Sequence, residues 1–227
     1  LDHLAVFKQK FVQLRDMGFV KSLRREPTGI GYTFETLMGI VENNVALPDF
    51  EGYEIKAHRS GSNSLITLFT FNRKAWKIPP LTAIQKYGSI DSNGRLGLYY
   101  TIKRIPNSVG LYTYIEDDSL SVRHVSGEIV VSWTIADMVA QFSKKISKLL
   151  FISARSEQRG DAEYFHYYRA QRLEETSEAV LIDQFINENI TIDVRLHDAV
   201  TRARNHGTAF RVYEDKLPLL FKKVEDL

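Results

Sequence analysis

Apolar residues recur at helical spacing in two early segments. Leu4, Phe7, Phe11 and Leu14 line one face of a helix that ends before Gly18. Ile30, Phe34, Leu37, Met38 and Val41 fall at i, i+4, i+7, i+8 and i+11 and predict a second helix, with Glu35 at the edge of its stripe. From residue 53 the period changes to two. Tyr53, Ile55 and Ala57 point one way, and Glu54, Lys56 and His58 the other, as on a half-buried strand. Residues 65–71 are β-branched and aromatic and predict the strand that pairs with it. Residues 72–97 read as irregular, with turns at Pro79-Pro80 and Ser92-Asn93-Gly94.

Strands then follow at 98–102, 111–115, 119–125 and 128–133, read as antiparallel. Thr134 with Asp137 caps a helix that buries Ile135, Met138, Val139, Phe142 and Ile146. Residues 149–152 predict a buried strand with 163–172 beside it, and Ser177 caps a last helix. Residues 190–196 alternate again. Ile192, Val194 and Leu196 face a core, while Asp193, Arg195 and His197 face away. A loop with Arg202, Arg204 and His206 leads into a strand over 208–212 that carries Arg211. The mixture predicts an α/β fold, a mixed central sheet with flanking helices.

Composition narrows the function classes. The chain has 227 residues and 44% hydrophobic content, enough for a sizeable core. A net charge of +2 gives no global basic field, so any nucleic-acid surface is local. The absence of cysteine excludes disulfides and thiolate metal sites. No apolar run is long enough to span a bilayer and no signal-peptide pattern is present, so a cytoplasmic protein with no membrane partner is expected. The first residue is Leu1, which leaves open fusion to a further domain.

Glu35, Asp49, Glu54 and Lys56 are the candidate catalytic set. Mg²⁺ takes oxygen ligands, and Asp49, Glu54 and the Ile55 carbonyl suit it. Such an ion polarises a phosphoryl oxygen and acidifies bound water, Lys56 holds that water, and Glu35 joins the metal shell or positions it. The same spacing also suits an ordinary Glu54–Lys56 ion pair on a solvated strand face. Lys21, Arg24 and Arg25 precede the second helix and suit phosphate contacts or a solvated surface. Gly29 and Gly31 at that helix start allow either a tight entry or close approach of DNA. Two arginines beside Asp193 suit guanine, with the carboxylate accepting from cytosine N4, but also suit a surface ion pair.

PDFEGYEIK resembles the catalytic signature of the PD-(D/E)xK nucleases. TGIGYTFE, PDF…EIKAH, SLITLF and HGTAFR…EDKL, in that order over roughly residues 3–220, are similar to the MvaI/BcnI family of type II restriction endonucleases. That group is related in fold to the MutH mismatch-repair nickase. The resemblance implies a single nuclease domain over 1–227, with two lobes around a DNA cleft. A catalytic lobe takes in about 20–75 plus packing elements, and a recognition lobe about 97–133 and 190–215. It implies a monomeric, Mg²⁺-dependent endonuclease acting on double-stranded DNA, with Mn²⁺ as a substitute and Ca²⁺ supporting binding without cleavage. The implied DNA-binding set is Asp193, Arg195, His206 and Arg211, with Thr70, His58, Arg24 and Arg25. The family's frame is CC and GG around a central pair. Members that accept central G·C carry histidines where this chain has Thr70 and Ala209, so the expected site is CC(A/T)GG. The rival readings are a MutH-like repair nickase and a DNA-binding nuclease-fold module of a larger defence protein.

Overall fold

The chain begins α1 (His3–Asp16), β1 (Val20–Lys21), α2 (Gly29–Met38), β2 (Glu54–Arg59) and β3 (Ile66–Thr70). It continues α3 (Pro80–Tyr87), β4 (Ser89–Ile90), β5 (Leu96–Ile102), β6 (Leu111–Glu116), β7 (Ser119–His124) and β8 (Ile129–Thr134). Then come α4 (Ile135–Ile146), β9 (Lys148–Arg159), β10 (Ala162–Glu174), α5 (Glu178–Ile186), β11 (Ile190–Asp198) and β12 (Ala203–Val212). A 3-10 helix (Glu214–Leu220) and β13 (Lys223–Asp226) close it. This computed structural model describes residues 3–25, 27–40, 50, 52–72, 74–200 and 202–227. Among them, no helix is long and apolar enough to cross a membrane.

Two compact units divide the chain. The first comprises Leu1–Ser64, Lys145–Thr176 and Leu217–Leu227. Its sheet runs β1-β10-β9-β2, with β13 also paired to β10. β2 lies parallel to β9 and the other pairings are antiparallel, so the expected mixed sheet is here. Leu149, Leu150, Phe151 and Ile152 are all buried, the continuous apolar run of an interior strand. One sheet face packs on both helices through Phe7, Phe11, Leu14, Ile30, Phe34, Met38, Ile55, Ile152 and Tyr167. Phe34 alone has ring neighbours Phe7, Phe11 and Tyr167 at 5.3–6.5 Å. Each such aromatic contributes about 1.5–3 kcal/mol by leaving water.

The apolar stripe of α2 is shorter than the sequence predicts. Gly39 takes φ 72° and ends the helix, its N–H reaching the Glu35 and Thr36 carbonyls. Leu37 is exposed, Thr33 is buried in the stripe instead, and Val41 lies outside the described residues.

The second unit comprises Leu65–Lys144 and Ser177–Lys216. It holds an antiparallel sheet of order β3-β12-β11-β5-β4 and a three-stranded antiparallel sheet β6-β7-β8. Among the described residues there are thus two five-stranded sheets, and the first is the mixed sheet that the sequence predicts. Phe210 is fully buried between Phe69, Trp133 and Phe185 at 4.7, 5.0 and 5.8 Å. Strand β3 pairs with β12, not with β2 as the sequence suggests. Its apolar residues Leu68 and Phe69 fill this second core, while the vacant edge beside β2 is taken by β9. Residues 74–97 are also more regular than expected, with α3 and β4 among them. Pro80 opens α3 at a first-turn position, where its missing N–H costs no hydrogen bond. The capping expectations hold: Asp137 N–H donates to Thr134 Oγ1 at 3.0 Å, and Val180 N–H to Ser177 Oγ.

Candidate active site and recognition surface

Strand β2 carries Glu54, Lys56 and His58 on the face opposite Ile55, which belongs to the first core. Parallel pairing with β9 fixes their height, Glu54 against Leu149 and Lys56 against Phe151. Lys56 Nζ donates to Glu54 Oε1 at 3.1 Å, with the side chains 23% and 29% exposed. At that exposure the pair adds little stability, so its conformation answers to what else approaches. Phe50 and Tyr53 exchange backbone hydrogen bonds of 3.0 and 2.7 Å just before the strand. Asp49 lies outside the described residues.

Glu35 is half-buried on α2, close to Gly31, where an added Cβ would stand 3.8 Å from Glu35 Oε1. On the same helix the Ile30 carbonyl accepts from the Tyr167 hydroxyl at 2.7 Å. Burial, above all, pushes that phenol well above its ordinary pKa, and the Glu35 charge adds slightly in the same direction. His58 Nε2 sits 3.1 Å from Ser64 Oγ, which ties it to the turn after β2. Among the described residues no three His, Asp or Glu side chains form a metal cluster. The donors present are hard oxygens, the Glu54 carboxylate and the Ile55 carbonyl, and they fit Mg²⁺ in kind.

Arg24 and Arg25 border a groove of about 570 Å³ with Lys21, Arg159, Glu163 and Tyr164. The Arg24 guanidinium lies 3.9 Å from the Tyr32 ring. Gly29 answers the question its motif raised. A Cβ there would meet the Arg24 carbonyl at 2.4 Å and Ser22 Oγ at 2.8 Å. The close approach it permits is that of the chain's own 22–24 segment.

The other candidates lie on the sheet of the second unit. Register places Thr101, Asp193, Ala209 and Thr70 in one row across β5, β11, β12 and β3. Asp193 was expected to face outward; it is 1% exposed. Its Oδ2 accepts from Arg195 Nη2 at 2.9 Å and Arg211 Nη1 at 2.7 Å, and its Oδ1 from the Thr101 hydroxyl at 2.5 Å. Arg211 Nε also donates to Thr67 Oγ1 at 3.0 Å. Burial raises the Asp193 pKa, but the Thr101 hydroxyl and the two guanidiniums outweigh it and hold the carboxyl below its ordinary range. Both arginines are therefore fixed by one carboxylate, and Arg195 keeps 45% of its side chain exposed.

His206 lies on β12, not in a loop, because that strand begins at Ala203. Its ring stacks on His197 at 5.2 Å, with Nε2 3.3 Å from His197 Nδ1. His197 is buried rather than outward-facing, and burial first, then Arg95 and His206, lower its pKa. Thr67 and Thr101 escaped the sequence reading and His197 entered it only as outward-facing, since a strand threonine or histidine gives no local sign of a cross-strand partner.

Residues 8–221 match the MvaI/BcnI restriction endonuclease family. Among solved structures, the chain is similar to a restriction endonuclease MvaI–cognate DNA substrate complex, with a TM-score of 0.80 and 27% identity over 100% of this chain and 98% of that one. It is also similar to restriction endonuclease MvaI in the absence of DNA, at a TM-score of 0.58 and 28% identity with the same coverage. No curated protein matches. A family match over nearly the whole length, joined to a common fold, identifies a site-specific deoxyribonuclease: the chain belongs to the MvaI/BcnI restriction endonuclease family.

Proposed function

We propose that this chain is a Mg²⁺-dependent type II restriction endonuclease that hydrolyses duplex DNA at CC(A/T)GG. The observation that carries the reading is the ordered recognition cluster, two arginines held on buried Asp193, in a chain that also presents Glu54 paired with Lys56. MvaI is a relative seen with cognate DNA, which makes duplex DNA the substrate to expect here.

Asp49, Glu54 and the Ile55 carbonyl would hold the ion, which when bound offsets phosphoryl charge and acidifies water. Mn²⁺ would substitute, and Ca²⁺ would support binding alone. Lys56 orients the attacking water and donates toward the charge that builds on the phosphoryl oxygens. Glu35 positions that water or joins the metal shell. Water oxygen bonds to phosphorus, one ester P–O bond breaks, and the departing oxygen takes a proton. Arg195 and Arg211 each grip guanine O6 and N7. Asp193 acts by fixing them, since it is 1% exposed and bonded to Thr101 and both arginines of its own chain. His206, Thr70 and His58 line the DNA, Arg24 and Arg25 contact phosphates, and the enzyme works as a monomer.

Digestion of a plasmid of known sequence with Mg²⁺, followed by sequencing of the ends, tests the reading. Ends confined to CC(A/T)GG support it. Ends at unrelated sequences, or cleavage only after a partner protein is added, overturn it.

A further inference from the structure

The sheet face that carries Glu54 and Lys56 continues well beyond β2. Paired residues share a face, and so do alternate residues along a strand. Lys56 pairs with Phe151, His58 with Ser153, Arg155 with His166, and Tyr164 with both Glu157 and Lys21. The face therefore takes in Arg155 and Arg159 of β9, Tyr164 and His166 of β10, and Lys21 of β1. Its rings and cations are interleaved. Arg155 lies 5.1 Å from the Tyr168 ring, and Arg159 lies 4.6 Å from Tyr164 and 5.4 Å from Phe19. Phe19 in turn lies 5.5 Å from His166. Lys21, Arg155 and Arg159 are exposed. Glu157 shares the face and bonds Arg159, but an exposed pair of this kind is weak, and the guanidinium exchanges partners readily. The aromatic faces hold the arginines extended at small cost.

We propose that this arginine–aromatic face of β9 and β10 binds the phosphate backbone of duplex DNA flanking the cut site. The proposal rests on the reading that DNA is cut at Glu54 and Lys56, and it extends that surface along the same sheet. Its positive charge complements a polyanion. A strand advances about 3.3 Å per residue, so Arg155 stands about 13 Å and Arg159 about 26 Å beyond Phe151, the partner of Lys56. A five-base-pair site covers only about 17 Å of duplex axis. For a duplex lying along β9, Arg159 thus reaches past the site, where contacts carry no sequence information and act by counterion release. Lys21, Arg24 and Arg25 border the same end through their groove with Arg159.

The test is equilibrium binding in Ca²⁺, at several salt concentrations, of wild type and the double variant Arg155→Ala/Arg159→Ala. On a duplex of about 30 base pairs the variant's log–log salt slope should be shallower by about 1.8, the value for two lost phosphate contacts. On a duplex trimmed to about two base pairs beyond each side of the site, the difference in slope should fall to about 0.9, because Arg155 still meets phosphates there and Arg159 does not. Arg155→Lys/Arg159→Lys should keep the wild-type slope, which separates charge from any effect on folding. Equal losses on both duplexes, or no loss on the long one, would overturn the proposal. The slope difference should also appear on a long duplex without CC(A/T)GG. Cleavage in Mg²⁺ is scored separately, and its failure would count against the proposed function alone.

Discussion

Asp193 sets the geometry of its sheet face with one carboxylate. Both arginines are bonded to it, so Asp193→Asn keeps the shape and removes the charge that orders them. At neutral pH this should cost about 1–3 kcal/mol of stability, the usual effect of weakening charged hydrogen bonds at a buried site. The folded-state pKa is depressed, so this stability is present above the unfolded value of about 3.9 and is lost as pH falls through the folded value. Urea unfolding of wild type and variant should therefore differ at neutral pH, begin to converge as pH falls below about 3.9 and coincide below the folded value; a gap that persists there would show that charge is not the cause. Lys56 gives a contrasting residue-scale prediction. Its pair with Glu54 is partly exposed and contributes little to folding, so Lys56→Ala should melt near wild type. Cleavage should fall by about 10²–10⁴-fold while specific binding in Ca²⁺ survives, a split read by single-turnover cleavage beside a binding titration.

Among the elements, α2 depends on a backbone contact that only glycine allows. Gly29→Ala would press a Cβ to 2.4 Å from the Arg24 carbonyl, so either the helix start or the 22–24 segment must move. Overpacking of this kind costs about 1–3 kcal/mol, a loss that thermal unfolding would register, and weaker DNA binding should accompany it as Arg24 and Arg25 shift. A variant with unchanged stability would mean that the segment yields freely. Such contacts also explain what could be read from the chain beforehand. The period-two pattern correctly put Glu54, Lys56 and His58 on one face of a strand, because alternation is local. The partner of that strand was not legible. Residues 66–70 look as suited to β2 as to β12, and only the fit of Leu68 and Phe69 into the second core decides. Asp193 was misplaced for the same reason: it is buried by Thr101 from 92 residues away and Arg211 from 18 residues away. Alternation reports the face of a strand, not whether long polar side chains from neighbouring strands close over it.

For the molecule acting on DNA as proposed, the choice of central base pair would fall on two positions that are neighbours in the sheet. Thr70 and Ala209 are direct partners across β3 and β12, and Ala209 in turn pairs with Asp193 across β11. On the proposed reading, the residues that would distinguish A or T from G·C thus lie in the same row as the carboxylate that holds Arg195 and Arg211. Space there is limited. A Cβ at Gly207 would already stand 3.0 Å from Thr70 Cγ2. Ala209 offers no donor or acceptor and Thr70 only a short hydroxyl in place of a histidine ring, and A·T and T·A look alike in the minor groove. The enzyme should therefore cut CCAGG and CCTGG duplexes at similar rates and the central G·C version more slowly, by about the 1–3 kcal/mol typical of one mismatched pair. Thr70 is exposed, so Thr70→His can be accommodated, and it should narrow that gap by raising the relative rate on central G·C. Matched oligonucleotides that differ only in the central pair decide the point. Faster cutting of the G·C duplex by the unmodified enzyme would show that residues outside this row read the centre of the site.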